Sequence, residues 1–141
     1  MKLFPFLALA TLVLTSGCSK PVSVIGKWKV DPALTGAGAT PESKGFVIGF
    51  ASTFHFEFKS DKTFEGAITK GTYSLEGNKL SMKTTEVLGQ DVSKAPTAAG
   101  AVELKGELSE DGKTLILHPN FIDMMPDSMK NGVPMVRDGQ G

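Results

Sequence analysis

Few residues of this chain are of a type and spacing that could do chemistry. His55 and Glu57 stand two apart, which puts both on one face of a strand and could offer a metal ion two ligands. A zinc-type centre needs three or four converging donors, and the only other imidazole in the sequence is His118. Solvated residues on a strand's outer face are therefore the plainer account of all three, and no metal or other cofactor is assigned. Met124, Met125, Met129 and Met135 carry soft thioethers suited to Cu(I), but without regular spacing they read first as adaptable apolar packing under a loop. No Ser, His and Asp stand in a recognisable nucleophile setting. No catalytic residue is assigned, and the expectation is a protein that is not an enzyme.

One residue of reactive type remains, Cys18, and its position says more than its thiol. A single cysteine excludes a disulfide framework within the chain, so stability must come from the core. Lys2 supplies a positive start, residues 3–14 are apolar apart from Pro5 and Thr11, and the small residues Ser16 and Gly17 lead into the cysteine. That length suits the apolar region of a signal peptide and is too short to span a bilayer.

Leu14-Thr15-Ser16-Gly17-Cys18 resembles a bacterial lipobox, with Thr15 standing where Leu is most usual. The resemblance implies removal of residues 1–17 as a signal peptide, a diacylglycerol thioether on Cys18, and usually a further acyl chain on the new amino group. Two or three chains anchor a protein stably where one binds only marginally. Ser19 resembles the outer-membrane sorting preference of Gram-negative lipoproteins. The implied location is a bacterial cell envelope, lipid-anchored, at the periplasmic face of the outer membrane in such a host. The alternative is an ordinary secretory signal with an incidental cysteine. On the lipoprotein reading, residues 18–23 are a lipidated tether extending on the order of 20 Å, which keeps the domain close to the membrane surface.

The elements that follow must make one domain, because what remains after the leader supports a single sizeable core. Basic and acidic residues balance at 15 each, and the lysines are spread along the chain, so no nucleic-acid footprint is present. Residues 24–30 alternate, with Val24, Gly26, Trp28 and Val30 on one face and Lys27 and Lys29 on the other. Asp31-Pro32 ends that strand. Thr40-Pro41-Glu42 has the form of a helix start, with Thr as N-cap and Pro at the first helical position. The helix expected over 42–51 exposes Phe46, Val47, Ile48 and Phe50, and Gly45 and Gly49 each weaken it by about 1 kcal/mol relative to Ala.

From residue 53 the alternation is clean: Phe54, Phe56 and Phe58 share one face, His55, Glu57 and Lys59 the other. Turns at 60–62 and 76–78 separate strands over 63–68, with Phe64 and Ile68 inward, 69–75, with Tyr73 and Leu75, and 79–87, with Leu80 and Met82. Residues 88–100 read as a loop. Strands over 101–108, with Val102, Leu104, Gly106 and Leu108 in phase, and over 113–118 flank a turn at 109–112. Residues 120–131, with Phe121, Ile122 and three of the methionines, read as a loop or irregular helix broken at Pro126, before a short eighth strand over 133–137 and a tail, 138–141. The fold class expected is all-β, an antiparallel up-and-down meander closing into a small barrel of about eight strands with one short helix between strands 1 and 2.

Gly26-Lys27-Trp28 in the first strand, a small helix, and a meander ending in a strand that bears the only arginine, Arg137, resemble the lipocalin or calycin family. In that family a Gly-x-Trp motif starts the barrel and an Arg near its end packs across the Trp, so the resemblance implies that Gly26, Trp28 and Arg137 close the barrel at 24–137. It departs from the family in having no disulfide, no Thr-Asp-Tyr triplet and no long C-terminal helix. The interior is expected to present Phe54, Phe56, Phe58, Phe64, Tyr73, Leu80, Met82 and Leu104. The expected partners are a membrane, through the lipid anchor, and a small apolar ligand or an envelope protein. A barrel filled with side chains, acting as a structural, stress-sensing or inhibitor module, is the second reading, and metal handling the third.

Overall fold

The computed structural model describes residues 20–31, 33, 40–94, 103–120 and 127–139, with backbone alone at 42, 43 and 128. Cys18, Val102, Phe121, Ile122, Met124 and Met125 lie outside the described residues. The described elements, in chain order, are β1 (Gly26–Val30), α1 (Pro41–Thr53), β2 (His55–Phe58), β3 (Thr63–Gly66), β4 (Thr69–Glu76), β5 (Lys79–Val87), β6 (Gln90–Asp91), β7 (Glu103–Leu108), β8 (Thr114–His118) and β9 (Val133–Arg137).

Every pairing is antiparallel, and the order β4-β3-β2-β1-β9-β8-β7-β5 closes on itself through β4–β5. The result is a closed eight-stranded barrel with α1 inserted between β1 and β2. Closure removes the sheet edges that an open meander of this length would expose. The first strand meets the last at Trp28↔Arg137 and Val30↔Met135. β6 is not part of the wall; it continues a hairpin from β5 within the stretch that reads from sequence as loop. Among the described residues no helix is long and apolar enough to cross a membrane.

Alternation decides which side chains fill the barrel. Trp28, Val30, Phe56, Phe58, Phe64, Tyr73, Leu80, Met82, Leu104, Leu108, Leu115, Leu117, Val133 and Met135 are buried in one cluster, while their strand neighbours are mostly exposed or half-buried. Met129, in a short 3-10 turn at Asp127–Met129, is fully buried in the same cluster, so Met129 and Met135 both serve as packing. β4 is re-aimed by a register shift between Lys70 and Gly71. A Cβ at Gly71 would lie 2.0 Å from the Lys83 carbonyl oxygen, so glycine alone allows the two backbones to come this close.

Three expectations are corrected. Ile68 does not face inward: β3 stops at Gly66, and Ile68, in the turn to β4, is 56% exposed. Val47 is not exposed. The helix runs from Pro41 to Thr53, and its i, i+3, i+4 face of Val47, Phe50 and Ala51 packs on the core, leaving Phe46 and Ile48 outside. Phe54 is not a strand residue but the single link between α1 and β2, its N–H still bonded to the Phe50 carbonyl at 2.8 Å. Ahead of β1, Val22 packs against the core and Val24 is fully buried.

Candidate functional site

The two ends of the barrel differ. At one, the C-terminal part of α1 meets the start of β2, the β3–β4 turn, the end of β5 and the start of β7. At the other, residues 22–25 run in beside the β2–β3, β4–β5 and β7–β8 turns.

That second end is held shut by Arg137. Its guanidinium carbon sits 4.6 Å from the centre of the Trp28 ring. Nε donates to the Gly112 carbonyl at 3.1 Å, Nη1 to the Ile25 carbonyl at 2.7 Å, and Nη2 to the Ser23 carbonyl. The planar fork of arginine is what lets one side chain serve three carbonyls and an aromatic face together. Trp28 Nε1 donates to the Val24 carbonyl at 2.7 Å, which pins the entering chain from inside. Gly26 has φ +127°, a backbone conformation that L side chains rarely adopt, and its missing Cβ leaves room for Arg137 Nη1. Gly26, Trp28 and Arg137 thus form one closure.

The helix end keeps a cavity. A volume of about 370 Å³ is lined by Phe50, Thr53 and Phe54 from α1 and its exit, His55 and Phe56 from β2, Ala67, Ile68 and Thr69 at the β3–β4 turn, Thr84 and Val87 from β5, and Leu104 from β7. This lies near the small end of the range typical of ligand sites. No Asp, Glu, Lys or Arg is among these residues, and their exposed surface is overwhelmingly carbon. The polar atoms available to an occupant are the hydroxyls of Thr53, Thr69 and Thr84 and the imidazole of His55. Thr84, 2% exposed, is the most deeply buried of these polar groups.

An aromatic chain joins the cavity to the packed interior. Phe46, Phe50 and Phe54 stack at successive helical i, i+4 positions, with ring centroids 6.0 and 4.5 Å apart. Phe54 meets Phe56 edge-on at 5.0 Å, Phe56 meets Phe64 at 5.9 Å, and Phe58 meets Tyr73 edge-on at 5.1 Å. These separations and edge-on angles are the favourable ones for aromatic pairs. Tyr73 ends the chain by donating its hydroxyl to the Lys59 carbonyl at 2.6 Å, and burial pushes its phenol above the ordinary value.

Of the residues read from sequence as interior, Phe56, Phe58, Phe64, Tyr73, Leu80, Met82 and Leu104 are buried; Phe54 is half-buried in the cavity wall. Phe54, Phe56 and Leu104 reach the cavity. Phe50, expected from sequence to be exposed on the helix, also lines it, and Thr53, Ala67, Thr69, Thr84 and Val87 belong to it without having been singled out. Thr84 had a signal, since it continues the phase of Leu80 and Met82 along β5.

His55, Glu57 and His118 do not come together. β8 is three strands from β2 in the sheet order, and His118 pairs with Lys105 while His55 pairs with Lys29. Among the described residues no three His, Cys, Asp or Glu side chains are grouped to hold a metal ion. Glu57 lies between Lys27 and Glu65 on the outer wall. There Lys59 pairs with Glu65 at 2.9 Å and Lys29 with Asp138 at 3.0 Å, each cation holding its carboxylate below the usual range.

No family model, curated protein or solved structure matches the chain. The fold and the cavity therefore define a class only: a small closed antiparallel β-barrel, compatible with a lipocalin-like ligand-binding domain, with one end sealed and an apolar cavity at the other.

Proposed function

We propose that this protein is an exported lipoprotein, anchored through acylated Cys18, whose barrel holds a small apolar ligand at its helix-covered end without catalysis. The observation that carries the ligand reading is the apolar cavity of about 370 Å³ between α1, the β3–β4 turn and β5. An uncharged lining of phenyl, alkyl and threonine groups favours an uncharged occupant. A charged head group buried there would have no partner to offset its desolvation. Each 100 Å² of apolar ligand surface removed from water contributes about 2.5 kcal/mol before the cost of immobilisation, so burial of carbon surface is the driving force such a site offers. The lipobox resemblance at residues 14–18 supports the anchor.

The test is extraction of the protein, purified from its envelope fraction, into organic solvent, followed by mass spectrometry, with binding of N-phenyl-1-naphthylamine to the delipidated protein measured in parallel. Recovery of a stoichiometric apolar compound, or saturable one-site binding of the probe, is expected. The absence of both an extracted compound and saturable probe binding would overturn the carrier reading. A second reading, a packed scaffold, is favoured by the filling of the remaining interior by Trp28, Met82, Leu115, Leu117, Met129 and Met135, all at most 1% exposed. That reading predicts that pocket-blocking variants leave the protein's role in the envelope unchanged.

A further inference from the structure

We propose that the Arg137-sealed end of the barrel is the surface that meets the anchoring bilayer, so that the cavity opens away from the membrane. The proposal rests on the reading that Cys18 is lipidated. It follows from how little free chain separates that residue from the folded body. Ser23 and Ile25 are tied by Arg137, Val24 accepts from Trp28, and Val22 packs on the core. Lys20, Pro21 and Val22 lie in a groove with Lys62, Leu75 and Asn78, among the turns of the sealed end. Cys18 is two residues before Lys20 and so at most about 7 Å from it. Releasing everything up to Val22 would give about 14 Å of reach.

The cavity is farther away than that. β5 runs nine residues from Lys79 at the sealed end to Val87 at the cavity, about 26 Å along the strand. At a tilt of about 40° this leaves roughly 20 Å along the barrel axis. The tether cannot fold back over that height, so the turns at 60–62, 77–78 and 110–113 face the lipid head groups. Lys62 and Lys113 are set there among Asp61, Glu110 and Asp111, a mixed surface that brings no strong charge preference. Contact with the bilayer is imposed by the anchor. A ligand would then enter and leave on the aqueous side, without touching the leaflet that holds the protein.

The test uses the full chain, expressed with its leader and reconstituted in vesicles of phosphatidylethanolamine and phosphatidylglycerol containing a nitroxide head-group lipid. Acylation of the native cysteine leaves an introduced one as the sole labelling site. Asn78→Cys in the β4–β5 turn and Leu88→Cys beside the cavity are both exposed positions, and each takes a fluorophore. Quenching is expected to be several-fold stronger at position 78 than at position 88. A spacer of about 20 Gly and Ser residues after Ser19, reaching on the order of 25 Å, is expected to erase most of that difference. Equal quenching at the two positions in the acylated protein, or stronger quenching at 88, overturns the orientation while leaving the anchor intact. An intact mass without acyl chains overturns the anchor itself and the orientation with it, and the two failures are told apart by that mass.

Discussion

Arg137 covers the indole of Trp28 from the neighbouring strand at the same register, 4.6 Å from ring centre to guanidinium carbon, while its nitrogens bind the carbonyls of Ser23, Ile25 and Gly112. One side chain therefore joins the entering chain, the first strand, the last strand and the β7–β8 turn. Stability and the fastening of residues 23–25 to the barrel depend on the same residue.

Arg137→Ala should destabilise the barrel by about 2–4 kcal/mol, since charge-assisted hydrogen bonds contribute about 1.5–3 kcal/mol each when well buried and less at this half-buried site. Arg137→Lys should recover less than half of the loss, because an ammonium keeps the charge but not the fork that reaches three carbonyls. Urea unfolding midpoints of the three proteins measure both effects. In hydrogen exchange, the alanine variant should lose protection first at residues 22–25.

Two glycines should respond to alanine in opposite directions. At Gly71 a Cβ would sit 2.0 Å from the Lys83 carbonyl and 2.8 Å from the Phe64 ring, and the first of these neighbours is backbone that cannot step aside. Gly71→Ala is expected to cost about 3 kcal/mol or to disrupt folding, at the upper end of overpacking penalties. At Gly45, inside α1, a Cβ meets nothing within 4 Å, so Gly45→Ala should raise stability by about 0.5–1 kcal/mol through helix propensity alone. Thermal melts of the pair give the comparison.

Stability should be level at neutral pH and fall on both sides. Asp61, Asp91 and Asp111 are held below the usual carboxylate value, first by the hydroxyls of Thr63, Ser93 and Ser109, then by backbone N–H donors of the same turns. Folded values below unfolded ones mean that this stabilisation is present above about pH 4 and is lost as pH falls through the folded values. Tyr73, raised by burial, and Lys59, raised by Glu65, have the opposite sign; their contribution is present below about pH 10 and is lost as pH rises through their folded values. Urea midpoints from pH 2 to 11 read both limbs. Asp111→Asn, at a turn where the carboxylate accepts from Ser109 and Lys113, should flatten part of the acid limb and leave the alkaline one unchanged.

The barrel was legible in the sequence because its strands alternate and its turns carry their own chemistry, as at Glu76-Gly77-Asn78, where Gly77 takes a positive φ. The helix was legible from Thr40-Pro41, but not its inner face. Phe46-Val47-Ile48 puts three apolar side chains around the axis, and only packing selects Val47 to point inward. Ile68 was misread because the strand ends two residues early, at Gly66, where Phe56 and Thr69 leave no room for a Cβ. The cavity could not be read at all. It is an unfilled space bounded by four separate stretches of the chain, 50–56, 67–69, 84–87 and 104, and alternation tells which side chains turn inward without telling whether they meet.

Two substitutions should separate access to the cavity from its chemistry. Ala67 is exposed on the β3–β4 turn and lines the opening, so Ala67→Trp can swing its indole over the cavity without disturbing the core. It should weaken N-phenyl-1-naphthylamine binding at least tenfold, about 1.4 kcal/mol, with the urea midpoint unchanged. Thr84 supplies the one buried hydroxyl of the cavity lining, and Thr84→Val removes it at nearly constant shape. A hydrocarbon such as naphthalene, with no hydrogen-bonding group, should bind the valine variant as well as the parent. A long-chain alcohol, whose hydroxyl can pair with Thr84, should lose roughly fivefold, the equivalent of one neutral hydrogen bond of about 1 kcal/mol. Equal loss of both ligands would mean that Thr84 shapes the wall and contacts no ligand, which would confine recognition to apolar fit.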